Sequence, residues 1–187
     1  MKLDLPALLL CALLCGCAGS TVEPRVFAPG DGPFDLNSGT AWNFIPLPNE
    51  RGAFKLMENP FVLQLRPGEE PITLIDVQLH SPQNLQLAGA VLLLDSSKIT
   101  RDDFFVPFPP ASLQTFDVKG ALVTSDSPVF LLLNVETTGI GQSSHGGIEI
   151  SFERSGIRSI AILSQWELHI CEGEVACAQT TSTTEKA

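Results

Sequence analysis

Short apolar runs alternate with turn-forming residues along most of the chain. The runs are rich in Ile, Val, Leu and Phe, and Pro, Gly, Asn, Asp and Ser separate them. This pattern is typical of successive β-strands and turns, and a helical period is nowhere sustained. About eight strands are predicted, at residues 41–45, 61–65, 72–80, 86–94, 115–123 with a break near Gly120, 129–137, 148–153 and 159–171.

Alternation within a run predicts which side chains face the core. Apolar residues occupy every second position of 148–153 and of 159–171, so one face of each strand is expected to be buried. A turn at 154–158, containing Gly156, is suited to join these strands as a hairpin. The side chains predicted to point inward are Ile148, Ile150, Phe152, Ile160, Ile162, Trp166, Leu168 and Ile170.

Two further runs depart from simple alternation. In 72–79 the apolar parity switches between Leu74 and Ile75, which predicts a β-bulge or a twist. The runs 91–94 and 130–133 are continuously apolar, as expected of central strands that are covered on both faces.

Antiparallel strands of this number close into either a two-sheet sandwich or a barrel. Uneven strand spacing favours the sandwich. Residues 127–171, with a β run, a Gly-rich turn, the strand Ile148–Phe152 and a long final strand, resemble the closing strands of immunoglobulin-like modules on bacterial lipoproteins. The resemblance implies an all-β fold, an immunoglobulin-like two-sheet antiparallel sandwich of about eight strands.

The first residues have the pattern of an export signal. An apolar stretch at 5–14 follows Lys2, and about ten residues are too few to cross a bilayer of roughly 30 Å. The sequence Leu14-Cys15-Gly16-Cys17 resembles the lipobox of bacterial lipoproteins, although Cys15 is unusual at its position. The resemblance implies cleavage before Cys17, lipidation of Cys17 and, with Ala18 following, an outer-membrane location facing the periplasm or the cell surface. Soluble secretion after cleavage at Ala18 or Ser20 is the alternative.

These features divide the chain into four parts. Residues 1–16 are predicted to be a signal peptide, 17–39 a lipidated N-terminus with a flexible tether, 40–178 the sandwich domain and 179–187 a disordered tail. Cys171 and Cys177 remain as an even pair outside the cytosol, where disulfides persist, and are predicted to form one.

Composition excludes some partners. Hydrophobic residues make up 44% of the chain and charged residues 17%, which is enough apolar material for a folded core. The net charge of −10, without a Lys- or Arg-rich run, argues against nucleic-acid binding.

No catalytic or metal-binding constellation is recognised. The three histidines lie on separate elements without metal-ligand spacing, and each is predicted to be a surface residue. The segment 141–146 misses the spacing of a nucleophile elbow and is predicted to be a flexible loop. Ser144 and His145 are its candidate ligand contacts.

An apolar, Pro-rich segment is a second candidate binding loop. Phe104, Phe105 and Phe108 lie here beside Pro107, Pro109 and Pro110. The segment is either an exposed docking patch or a cover that packs over one open end of the sandwich.

The sequence therefore predicts a non-catalytic, membrane-anchored envelope lipoprotein that acts as a binding or assembly module without a cofactor. Its expected partners are the membrane, through the lipid, and an envelope protein or glycan. The alternatives are an extracytoplasmic hydrolase whose residues converge only in three dimensions, and a carrier of a metal or small ligand.

Overall fold

A computed structural model describes residues 23–35, 43–47, 55–58, 60–97, 99, 107–139, 142–164 and 167–172. The predicted signal peptide, Cys17, Phe104, Phe105, Cys177, the side chain of Cys171 and the tail 179–187 lie outside the described residues. Within the described ranges the chain forms thirteen strands. None of these residues belongs to a helix long and apolar enough to span a membrane. The strands are β1 (Arg25–Val26), β2 (Asn43–Leu47), β3 (Lys55–Met57), β4 (Phe61–Leu63), β5 (Ile72–Leu79), β6 (Leu85–Leu93), β7 (Thr115–Asp117), β8 (Leu122–Val123), β9 (Val129–Thr137), β10 (Ser143–His145), β11 (Ile148–Arg154), β12 (Ile157–Leu163) and β13 (Leu168–Glu172).

Two larger sheets and one small sheet build the molecule. The first sheet has the order β1-β12-β11-β5-β8, and the second has the order β3-β9-β6-β7 with β4 also paired to β9. The small sheet has the order β10-β13-β2. The predicted all-β sandwich is confirmed. Two pairings, β1 with β12 and β2 with β13, are parallel and were not predicted.

The main core combines apolar side chains from all three sheets. Alternate residues of β11 from the first sheet, Ile148, Ile150 and Phe152, are buried as predicted. Leu131, Leu133 and Val135 of β9 join the same cluster from the second sheet. On the other face of β9, Leu132 is buried in a second cluster with Phe130 packed against it, which confirms the prediction for 130–133. The same prediction for 91–94 is wrong at Leu94, which lies beyond the end of β6 and is 65% exposed.

The predicted inward face of the last strand is wrong over its first half. Ala161 and Leu163 are fully buried, whereas Ile160 and Ile162 on the opposite face are half-buried. The reason is that the predicted strand is two strands: β12 ends at Leu163 and β13 begins at Leu168. The parity read from Leu168 and Ile170, which are buried, therefore does not carry over to β12.

The predicted bulge in β5 is confirmed. Asp76 lies opposite Ser151 of β11, and Leu74 lies opposite the next residue, Phe152, so Ile75 has no partner on that strand. The predicted β11–β12 hairpin is also present, with Arg154 paired to Ile157.

Residues 23–35 pack on the sandwich, although the sequence indicated no regular structure there. β1 pairs with β12, and Phe34 is buried in the main core. The Phe34 ring meets Phe152 edge-on at 5.9 Å between centroids, and Phe27 stacks on Phe152 at 6.1 Å. This segment therefore covers the end of the core near Phe152.

A second apolar cluster covers the outer face of the second sheet. Leu93 and Leu132 from β6 and β9 contact Leu113, and the half-buried Phe108 packs against them. Gly89 makes room for this ring, because a Cβ there would lie 2.9 Å from the Phe108 Cε1 atom. Phe108 thus packs on the outer face of the second sheet. The prediction that this segment covers an open end of the sandwich is therefore not what the structure shows for Phe108.

Candidate binding site

The first candidate loop of the sequence is a strand in the structure. Ser143–His145 form β10, which pairs with β13 on one side. On the other side, the carbonyl of Ser144 accepts a hydrogen bond from the N–H of Gln83 at 2.7 Å. The N–H of Ser144 donates one to the carbonyl of Gln83 at 2.9 Å. The prediction of a flexible loop is wrong here, and the Ser144 side chain is half-buried.

His145 forms a fully buried pair with Glu58, at the end of β3. Its Nε2 atom lies 3.1 and 3.2 Å from the two carboxylate oxygens of Glu58, and both side chains are 0% exposed. The backbone N–H of Gly147 donates to Nδ1 of His145 at 3.2 Å. Since Nδ1 is therefore the acceptor, the N–H group of the ring is at Nε2 and donates a hydrogen bond to Glu58.

The pair ties two sheets together. Glu58 hydrogen-bonds through its backbone N–H to Leu133 of β9, at 2.9 Å, so it extends the second sheet, whereas His145 belongs to the small sheet. Both ring nitrogens of His145 are used within the protein. The prediction of a surface histidine is wrong for His145. The sequence analysis missed Glu58, because 87 residues separate it from its partner.

The other two histidines also lie beside glutamates. His80 contacts Glu149 at 2.8 Å and His169 contacts Glu167 at 3.3 Å, in both cases with partly exposed side chains. No three His, Cys, Asp or Glu residues among those described come together as metal ligands.

A separate apolar cleft opens where the chain crosses from the second sheet to the first. β7 is the edge strand of the second sheet and β8 is the edge strand of the first, and residues 118–121 connect them. The cleft between these edges has a volume of about 340 Å³. Its lining consists of Leu92, Leu93, Leu94, Phe116, Asp117, Lys119, Gly120, Ala121, Leu122 and Val129.

Hydrogen bonds fix the crossing segment against β5. The N–H of Gly120 donates to the carbonyl of Leu74 at 2.8 Å, and the N–H of Leu74 donates to the carbonyl of Ala121 at 2.9 Å. Gly120 has a φ of 85°, a backbone conformation that glycine adopts without steric cost. Val118 is buried in the main core. The floor of the cleft is therefore anchored at both the backbone and a side chain.

Large apolar side chains are exposed in this cleft. Phe116 lies opposite Leu92 in the β6–β7 ladder, so it faces the same side as a core residue but at the edge of the sheet. Leu94 is 65% exposed, Leu122 61% and Phe116 38%. Of the five most exposed large apolar side chains among the described residues, these three line the cleft. Exposed apolar side chains that are grouped in one place are more typical of an interaction site than single ones scattered over the surface.

Two opposite charges stand in the cleft lining. Asp117 and Lys119 flank the buried Val118, and their side chains are exposed. Within the part of the chain that the structure describes, neither forms an ion pair. In the β6–β7 ladder Asp117 lies opposite Val91, so its side chain is on the face of β7 opposite Phe116. The sequence analysis did not identify any of the cleft residues as a site.

Comparison with known proteins gives one structural neighbour of low similarity. No protein-family model and no curated protein matches the chain. A solved structure of a Corynebacterium diphtheriae protein described as membrane anchored aligns with a TM-score of 0.28 and 8% sequence identity. The alignment covers 69% of this chain and 38% of that protein, so the chain spans well under half of its neighbour.

Proposed function

We propose that the protein is a membrane-anchored envelope lipoprotein that acts by binding, and that its binding site is the apolar cleft between β7 and β8. The lipobox-like sequence ending at Cys17 supports the anchor. The three exposed side chains of the cleft, Leu94, Phe116 and Leu122, carry the assignment of the binding site.

Apolar groups so exposed lower the free energy of any complex that removes them from water. The gain is about 25 cal/mol for each Å² of apolar surface buried. The cleft volume falls within the range of roughly 300–1,000 Å³ that small-molecule sites occupy. A ligand that fills the cleft would therefore bury surface that the folded chain alone leaves in water.

The cleft is tested with a neutral photoreactive probe in envelopes that contain the full chain. A 12-carbon alcohol bearing a diazirine is irradiated with the envelopes, and labelled peptides are quantified by mass spectrometry. We expect labelling of peptides from residues 115–123, and a loss of at least about fivefold in Leu122→Asp because a charge now lies in the cleft.

Ile157→Asp is the matched control, since Ile157 is 58% exposed but lies on β12, away from the cleft. Circular dichroism of both variants checks that the fold is kept. Labelling that is equal in Leu122→Asp, Ile157→Asp and the parent protein would refute the assignment of the cleft.

The anchor is tested separately by the mass of the N-terminal peptide. We expect a diacylglycerol-modified, N-acylated Cys17 in the parent protein, and no acylated peptide after Cys17→Ala. An unmodified N-terminus at Met1 or after Ala18 would refute the anchor and leave the cleft result unaffected.

A further inference from the structure

We propose, resting on the lipid at Cys17, that one end of the sandwich lies against the membrane that this lipid enters. The end is formed by the start of β1 and the β11–β12 hairpin, and the apolar cleft lies at the same end. The proposal depends on the reach of the chain before β1, on the rows of paired residues across the first sheet, and on the position of the exposed apolar side chains.

The chain between the lipid and the fold is short. Glu23 is the first described residue, and it lies six positions after Cys17. Six residues reach over at most about 20 Å, because a fully extended chain rises roughly 3.3–3.6 Å per residue. Residues 23–35, which were predicted to be part of a tether, pack on the sandwich instead. The start of β1 is therefore held close to the bilayer.

The start of β1 lies beside the β11–β12 hairpin. β1 runs parallel to β12, and Arg25 pairs with Ser159. Ile157, at the tip of the hairpin, comes two residues before Ser159, which is roughly 7 Å along the strand. The short chain from Cys17 therefore brings the hairpin tip close to the bilayer together with β1.

A row of paired residues connects this end to the cleft. Arg158 of β12 pairs with Glu153 of β11. Thr73 of β5 pairs with Glu153 on one side and with Leu122 of β8 on the other. Neighbouring strands lie about 4.8 Å apart, so the edge strands β1 and β8 are separated by roughly 19 Å across the sheet. The cleft, which Leu122 lines, therefore belongs to the same end of the sandwich.

The five large apolar side chains that are exposed among the described residues are all found here. Three of them line the cleft. The other two are Val26, which is 60% exposed, and Ile157, which is 58% exposed. Val26 pairs with Ile160 at the edge of the first sheet, and Ile157 lies at the hairpin tip. Contact with a bilayer interface would remove these side chains from water, which lowers the free energy of the docked state.

The charges at this end are compatible with a phospholipid surface. Arg25 and Arg158 are exposed, and neither forms an ion pair within the described part of the chain. Arginine side chains bind phosphate groups while their aliphatic parts lie against apolar surface. Glu23 and Glu70 are exposed here too, so this end has no excess of positive charge. Docking is therefore expected to depend on the apolar side chains and not on anionic lipids.

The test places photoreactive p-benzoylphenylalanine at the position of Ile157 or of Gln83 in the full chain. Gln83 is the control, because it is exposed and follows the opposite end of β5, an eight-residue strand. Envelopes are irradiated, and adducts between the labelled peptide and phospholipid are quantified by mass spectrometry. We expect at least about fivefold more phospholipid adduct at Ile157 than at Gln83, because roughly 25 Å of strand separates the two ends. Circular dichroism of both variants checks that the fold is kept.

The mass of the N-terminal peptide, measured in the same samples, distinguishes this proposal from the anchor. If Cys17 is acylated and Gln83 gives as much phospholipid adduct as Ile157, the docked orientation is overturned and the anchor stands. An unacylated Cys17 overturns both. Adducts of the Ile157 position with a protein in place of phospholipid would also overturn the proposal, in favour of a protein partner at this end.

Discussion

The buried Glu58–His145 pair places a carboxyl group and an imidazole ring in an apolar environment. A buried carboxylate is costly unless hydrogen bonds replace its hydration. Here a single N–H of His145 lies within hydrogen-bond distance of both carboxylate oxygens, and Gly147 fixes the orientation of the ring. The following backbone is tightly packed, since a Cβ at Gly147 would lie 2.5 Å from the carbonyl oxygen of Leu163. The pair is thus a structural contact between two sheets.

Removal of either partner should destabilise the fold. Glu58→Ala leaves the Nε2–H of His145 buried without an acceptor, and we expect the free energy of unfolding to fall by about 3 kcal/mol. The value is measured by urea denaturation of the full chain. Glu136→Ala is the control, because Glu136 contacts Gln86 on the exposed side of the neighbouring strand. The control should change stability by less than about 0.5 kcal/mol.

A double-mutant cycle with His145→Ala separates the pair from its surroundings. We expect the combined variant to be less destabilised than the sum of the single variants, by about 1 kcal/mol or more. Additive losses would show that the two side chains contribute independently, and that the pair does not hold the sheets together.

The bulge at Ile75 determines the side-chain pattern of β5. Before it, Ile72 and Leu74 face the core, and after it Val77 and Leu79 do. Without the extra residue, inward and outward positions would alternate without interruption along the whole strand. The bulge therefore keeps both halves of β5 in phase with the regular strand β11.

Deletion of Ile75 should consequently be tolerated. Leu74 and Asp76 would become neighbours in the strand, opposite Phe152 and Ser151, with which they already pair. We expect cooperative unfolding and a loss of at most about 2 kcal/mol in stability. Deletion of Ser151 from β11 is the comparison, and it should abolish cooperative unfolding because Phe152 would turn away from the core. Similar effects of the two deletions, followed by circular dichroism during thermal unfolding, would contradict this account.

The local sequence pattern predicted those strands whose buried positions depend on residues that are close together in the sequence. The parity switch at Ile75 and the alternation from Ile148 to Phe152 are visible in the chain, and both are confirmed. The inward face of β12 was misread because nothing local separates it from β13. β10 was missed because Ser143–His145 are polar, and His145 is buried only through its contact with distant Glu58.

The cleft could not be predicted from the sequence, because its lining comes from segments that only the fold brings together. Its lining comes from the ends of β6 and β9 and from β7, β8 and their connection. Leu94, Phe116 and Leu122 are apolar residues in or beside strands, and their pattern is that of core residues. Only the arrangement of the sheet edges leaves them exposed.

At the scale of the whole molecule, the two apolar faces of the second sheet are covered by different parts of the protein. Its inner face joins the main core, and its outer face is covered by Leu113 and Phe108. At the β7 edge, Phe116 lies on the inner side and is 38% exposed in the part of the chain that the structure describes. Among the described residues, the inner side of the β7 edge is therefore an exposed apolar region next to two covered ones.

This division predicts opposite consequences for two phenylalanines of the same sheet. Phe108→Ala removes a ring that packs on Gly89 and the outer cluster, and we expect a loss of about 2 kcal/mol in stability. Phe116→Ala removes a ring from the cleft, and should cost less than about 1 kcal/mol while reducing labelling by the 12-carbon alcohol. Urea denaturation and photolabelling of both variants test the distinction. A larger loss of stability in Phe116→Ala than in Phe108→Ala would show that Phe116 belongs to the folded core. It would contradict the assignment of Phe116 to a binding cleft.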